Sequence, residues 1–153
     1  MSGLAGYRGD VLLVANPISG QGIVSRRLAD VKEKLDGLGV NLQLLKTTGP
    51  GDARRAAQDF DGGVILSFGG DGTFNEVLNG ADLDRCILGV LPAGTGNVLG
   101  KELGLPTGSP RAIELLARGK ISQYDIGVYN GQRFAFVFGA GMDAHIVRLV
   151  HEQ

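Results

Sequence analysis

Residues 67–78 read SFGGDGTFNEVL. Three glycines, an aspartate and a threonine stand between an apolar run, residues 64–68 (VILSF), and the helical pattern of residues 73–78. Strand, glycine turn and helix in that order are the building unit of a parallel α/β sheet. Backbone N–H groups at such a turn point outward, and the helix N-terminus carries partial positive charge, so the junction suits a phosphate. Gly69, Gly70 and Gly72 would let that phosphate close on the main chain with no Cβ in the way. Thr73 is placed to cap the helix or to bond a phosphate oxygen. Asp71 repels a phosphate unless Mg²⁺ lies between them or the carboxylate takes a proton. As a bare pattern, GGDGT fits a structural turn as well.

The same unit repeats on both sides of this stretch. Residues 11–15 read as a buried strand. Val24, Leu28, Val31, Leu35 and Leu38 then recur at spacings of four and three, one face of a helix, with Gly39 as its stop. Residues 40–46 alternate like a strand, and Asp52 suits the N-cap of a helix through Phe60. Residues 86–91 form a fourth apolar run, followed by PAGTGN and a short helix to about Leu103. Ser109 and Pro110 cap and open another helix, which Arg118-Gly119 ends. The alternation predicts a three-layer, Rossmann-like α/β fold with a parallel sheet covered on both faces. Sites in such sheets lie outside the carboxyl ends of the strands. Residues 16–22, 47–51, 69–73 and 92–97 all fall there.

From Gln123 the pattern changes. YDIGVY and RFAFVF are strands joined by Asn130-Gly131, a two-residue hairpin signal. A lone hairpin has little stability of its own. It either joins the sheet or opens a second, β-rich domain. The chain therefore divides into residues 9–122, a nucleotide-binding α/β domain, and residues 123–153, a hairpin and the start of a helix. Exposed hairpin edges with Phe134, Phe136 and Phe138 favour self-association, as a homodimer.

Composition narrows the function classes. Of 153 residues, 26 are glycine, more than twice the ~7 % of average proteins. They cluster at segment junctions, as in a protein whose ligands approach its backbone. The net charge of −1 gives no global field toward nucleic acid or an anionic membrane. The single cysteine, Cys86, reads as a small buried hydrophobe and fits a reducing cytosol. No signal peptide is apparent, and the apolar runs fall short of the ~20 residues a membrane span needs. Gly20-Gln21-Gly22 begins a dinucleotide-type G-x-G-x-x-G, but its third position is Ser25 and no acidic residue ends the second strand. No G-x-x-x-x-G-K-[ST] occurs, which excludes a P-loop.

NPISG, TTGPGDA, GGDGTFNEVLNG and PAGTGNVLGKELGLP, in this order, resemble the catalytic domain of the diacylglycerol kinase family. That family includes bacterial lipid kinases and the related sphingosine and ceramide kinases. The resemblance runs from about Val11 to Val147. It implies ATP as phosphoryl donor, Mg²⁺, and a lipid hydroxyl as acceptor: diacylglycerol, a sphingoid base or ceramide. It implies that Asn16, Pro17, Ile18, Ser19 and Gly20 hold ATP, together with Thr47 or its neighbour Thr48. Gly69, Gly70, Asp71, Gly72, Thr73, Phe74 and Asn75 would cradle the phosphates, and Thr95 would complete the set. Asp71 is the candidate catalytic residue here. Family members continue into a β-sandwich that carries the main acidic catalytic residue and binds a further Mg²⁺. Residues 124–147, including GAGMDA, resemble its opening. Asp143 would sit near the domain junction in a structural role, and His145 and His151 are not expected to be ligands. The 153 residues alone are expected to turn over little or not at all. Two other readings stand beside this one: a kinase of a soluble dinucleotide, as in NAD kinase, which shares a GGDG loop, and a nucleotide-binding module without turnover. The expected place of work is the cytoplasm, with transient peripheral contact at a membrane surface.

Overall fold

The computed structural model describes residues 3–107 and 111–136. Strands β1 (Asp10–Ala15), β2 (Asn41–Lys46), β3 (Gly63–Gly69) and β4 (Cys86–Pro92) form one parallel sheet in the order β2-β1-β3-β4. Helices α1 (Ser19–Asp36), α2 (Asp52–Asp59), α3 (Asp71–Gly80), α4 (Val98–Glu102) and α5 (Arg111–Arg118) connect and cover the strands. Side chains alternate across a strand with period two. Accordingly Val11, Leu13 and Ala15 pack with α1 and α5, while Leu12 and Val14 pack with α2 and α3. The expected three-layer α/β architecture is the one observed. Cys86 is buried in the second of these cores, and burial pushes its thiol pKa up.

Register sets the site. Ala15 pairs with Lys46 on one side and Phe68 on the other, and Gly69 pairs with Pro92. The four strands thus end nearly flush, and the four glycine-containing loops leave from one edge.

Two local expectations are corrected. Gly39 is not the stop of α1, which ends at Asp36. The chain passes through tighter turns before Gly39 adopts its left-handed φ of 73°. Asp52 is not an N-cap but the first residue of α2, and Gly51 takes the cap position. Its carboxylate turns back instead and accepts from the Thr48 and Gly49 N–H groups and the Thr48 hydroxyl. The cap expected at Ser109 and Pro110 lies outside the described residues, as do Phe138, Asp143, His145 and His151.

Strands β5 (Gly127–Tyr129) and β6 (Gln132–Phe134) form an antiparallel pair apart from the main sheet. Asn130 and Gly131 are both left-handed, with φ of 48° and 73°, as a primed hairpin turn requires. The hairpin neither extends the parallel sheet nor stands free. Phe136 lies 6.4 Å from Phe74, ring centre to ring centre. Ile126, Ala135 and Phe136 close over a small core of Phe74, Leu78, Val90 and Leu99.

Candidate functional site

The N-terminus of α3 is the hub of the carboxyl edge. Gly70 precedes it in extended conformation, and no side chain caps it. The first N–H groups of a helix have no intrahelical partner, and here no side chain takes them up. Thr73 does not cap the helix as expected. It is buried inside the first turn, and its hydroxyl accepts from the Asn16 amide at 3.3 Å.

Each neighbouring loop is tied to this hub. Asn16 donates its backbone N–H to Phe68 O (2.9 Å), and its Oδ1 accepts from Ile18 N–H (3.3 Å), which folds the first loop over β3. The loop then runs through Gly20, Gln21 and Gly22, all left-handed, before α1 becomes regular. A Cβ on Gly20 would overlap the Ala93 carbonyl oxygen, so only glycine lets this loop close on the loop after β4. That fourth loop approaches α3 through glycine as well: a Cβ on Gly94 would stand 2.5 Å from Gly70 Cα. Asn97, buried and left-handed, braces it by accepting from Gly94 N–H (2.8 Å) and donating to Gly94 O (2.6 Å).

Asp71 joins two loops. Its Oδ1 accepts the Val98 N–H at 2.8 Å and so anchors the start of α4. The other carboxylate oxygen takes no part in that bond. Glu76, which the sequence reading passed over, anchors the second loop by accepting Gly51 N–H at 3.0 Å. The signal was present: Glu76 is four residues after Gly72, hence on the same face of α3.

Two cavities flank the hub and meet at Gly72. The first, about 270 Å³, is walled by Asn16, Ile18, Thr47, Thr48, Thr73 and Glu76. The Thr48 hydroxyl is committed to Asp52, while Thr47 donates its backbone N–H to Ala15 O. The second, about 580 Å³, lies between α3 and the hairpin, walled by Asp71, Asn75, Arg133, Tyr129, Phe134 and Phe136. Its volume is that of a typical small-molecule pocket, and Tyr129, Phe134 and Phe136 share its wall with polar and charged groups. Helix α3 therefore presents Gly72 and Glu76 to one cavity and Asp71 and Asn75 to the other.

Of the residues expected at the site, Asn16, Ile18, Thr47, Gly72 and Thr73 wall the first cavity, and Asp71, Gly72 and Asn75 wall the second. Gly69 and Gly70 form the turn beneath. Pro17, Ser19, Gly20 and Thr95 stand on the same edge but line neither cavity. Thr95 is exposed at its loop tip. Phe74 lines neither cavity: its ring is in the core, and its N–H donates to Gly70 O. Among the described residues no three His, Cys, Asp or Glu side chains cluster to hold a metal, and no helix is long and apolar enough to cross a membrane.

The family model of the diacylglycerol kinase catalytic domain matches residues 10–129. A diacylglycerol kinase of Bacillus subtilis (strain 168) is 40 % identical over 137 residues, 84 % of this chain and 45 % of its own length. One from Staphylococcus saprophyticus is 37 % identical over 136 residues, 84 % of this chain and 44 % of its own. A crystal structure of a diacylglycerol kinase from Bacillus anthracis str. Sterne superposes with a TM-score of 0.75 at 34 % identity, covering 82 % of this chain and 45 % of that one. The chain spans about half the length of the curated relatives it matches.

Proposed function

Because this chain belongs to the diacylglycerol kinase catalytic domain family, we propose that it is the nucleotide-binding half of an ATP-dependent lipid kinase. The reaction is transfer of the ATP γ-phosphoryl group to the free hydroxyl of a lipid: diacylglycerol, a sphingoid base or ceramide. The observation that carries the reading is the meeting of two unlike cavities at Gly72, one lined without aromatic side chains and one that includes Tyr129, Phe134 and Phe136, on either side of an uncapped helix N-terminus.

Phosphoryl transfer is chiefly positioning and charge stabilisation. In this reading ATP occupies the first, smaller cavity. Asn16 orients the first loop, the N–H groups opening α3 face the phosphates, and Thr47 and Glu76 border the remainder of the nucleotide. Asp71 stands where the cavities join, with one oxygen spent on Val98 N–H and the other available to the acceptor hydroxyl. Mg²⁺ binds through one or two carboxylates plus substrate phosphates. Asp71 fits as that carboxylate with Asn75 beside it, and the ion would neutralise phosphate charge. Residues 123–153 are read as the opening of a second domain that completes the acceptor side. The enzyme would work in the cytoplasm, touching the membrane surface only to reach its lipid.

Calorimetry tests the nucleotide half. Mg-ATP should bind the 153-residue chain with modest affinity, and Gly70→Val should weaken it; no binding to folded protein overturns the reading. Radiolabel transfer to diacylglycerol, ceramide and sphingosine tests the rest. The full natural chain should phosphorylate one of them, and the 153 residues alone should stay near background. Loss of a general base costs about 10²–10⁴-fold, and loss of acceptor positioning can be worth ~10⁵ M of effective concentration. A dinucleotide acceptor in place of a lipid would favour the NAD kinase-like alternative.

A further inference from the structure

Asn79 lies two turns along α3 from Asp71, on the stripe Asp71, Asn75, Asn79. Its amide donates to Asn75 O (2.9 Å) within the helix. It also makes two reciprocal bonds with one residue of the hairpin: Asn79 Oδ1 accepts Arg133 N–H (2.8 Å) and Asn79 Nδ2 donates to Arg133 O (2.9 Å). A side-chain amide thus does what a neighbouring strand would do for β6. The Arg133 guanidinium answers from the other direction. It donates to Leu78 O (3.1 Å) and Ala81 O (2.8 Å), carbonyls at the carboxyl end of α3. A cation there is favoured by the partial negative charge of a helix C-terminus.

We infer that Asn79 and Arg133 are positioning residues: a latch that holds the aromatic wall of the larger cavity in register against α3 and so sets the acceptor side of the site, not the nucleotide side. The inference rests on the kinase reading. The apolar contacts of Phe136 with Phe74 bring the hairpin to α3, but apolar attraction has no direction. A slip of β6 by one residue would exchange its faces and turn Phe134 away from the cavity. Reciprocal bonds to a single backbone residue forbid that slip. The nucleotide cavity contains neither Asn79 nor any hairpin residue, so its affinity has no stake in the latch.

The test is Asn79→Ala in the full natural chain, with Mg-ATP affinity by calorimetry and transfer kinetics against a dispersed short-chain diacylglycerol. Misplacement by an ångström can cost about 10²-fold. The expected result is a ten- to hundredfold fall in acceptor kcat/KM, with the Mg-ATP Kd within twofold. Asn79→Asp keeps the acceptor for Arg133 N–H and loses the donor; it should fall between. Amide exchange at residues 127–134 should quicken in both variants while the first turn of α3 is unchanged, which separates loosening of the hairpin from general unfolding. Equal loss of nucleotide and acceptor binding, or no change in acceptor kinetics, overturns the inference. If the parent neither binds Mg-ATP nor transfers phosphate, the kinase reading itself fails and the acceptor role falls with it. A parent that is active beside an unaffected Asn79→Ala removes only the latch.

Discussion

At the carboxyl edge of the sheet, loops meet through main-chain atoms: Gly20 lies on the Ala93 carbonyl, and Gly94 on Gly70. Further along the same α3, the hairpin is attached through side chains, by Asn79, Arg133 and the Phe74–Phe136 pair. The edge owes its shape to what is missing at glycine, and it stays open to a ligand. The hairpin owes its place to specific partners far away in the chain, and those partners are already spent on it. A phosphate site needs bare, fixed backbone; a wall needs only to be held.

Asp71 gives the sharpest way to break this contrast, because its carboxylate stands within the bare edge and holds the Val98 N–H. Asp71→Asn keeps an oxygen for Val98 N–H and removes the charge. Transfer by the full natural chain should fall about 10²–10⁴-fold while thermal stability is nearly unchanged. Retained activity would reduce Asp71 to a strap for α4.

Gly20→Ala should damage the edge by its backbone. Left-handed backbone costs a non-glycine residue about 1–2 kcal/mol, and forcing a methyl into a packed contact costs about 1–3 kcal/mol more. The expected outcome in denaturant melts is a loss of about 2–5 kcal/mol, with Mg-ATP affinity reduced in the folded fraction. Unaltered melting would mean that the loop yields easily and is not fixed by the Ala93 contact.

Phe136→Ala should loosen the hairpin and the small core of Phe74, Leu78, Val90 and Leu99 that it covers, and leave the first cavity untouched. An aromatic pair contributes about 0.5–1.5 kcal/mol beyond its burial. Amide exchange over residues 127–134 should quicken, and Mg-ATP affinity should hold. A matching loss of nucleotide affinity would show the two regions to be one unit.

The smallest effect concerns the second loop, the part of the edge held by a carboxylate. Hydrogen bonds from the Thr48 backbone and hydroxyl and the Gly49 N–H, with the Arg55 charge nearby, hold the Asp52 pKa at about 2, below its ordinary 3.8. A depressed carboxylate stabilises the fold above its unfolded pKa, and that contribution disappears as pH falls from about 4 to about 2. The melting difference between the parent and Asp52→Asn should therefore close across that window. An NMR midpoint for Asp52 near 4 would contradict the arrangement.

The α/β alternation, the helix face of Val24, Leu28, Val31 and Leu35, the primed turn at Asn130-Gly131 and the glycine junctions were all readable in the chain. Each is local: a period of two or 3.6, or a backbone angle only certain residues accept. Asp52 is not the cap because its carboxylate finds donors in the loop before α2 instead: two N–H groups, of Thr48 and Gly49, and the Thr48 hydroxyl. Phe74 stands within the contiguous motif, but the helix turns its ring into the core and leaves Asp71, Gly72 and Asn75 on the cavity side, with Thr73 at the wall of the first cavity. Glu76, Asn79 and Arg133 could not be assigned partners from spacing at all. Glu76 reaches Gly51, and Asn79 reaches Arg133, 54 residues on. Such pairings exist only after parallel strands have set their register and brought remote loops to one edge, since sequence periodicity specifies which face a residue takes but not what will be folded against it.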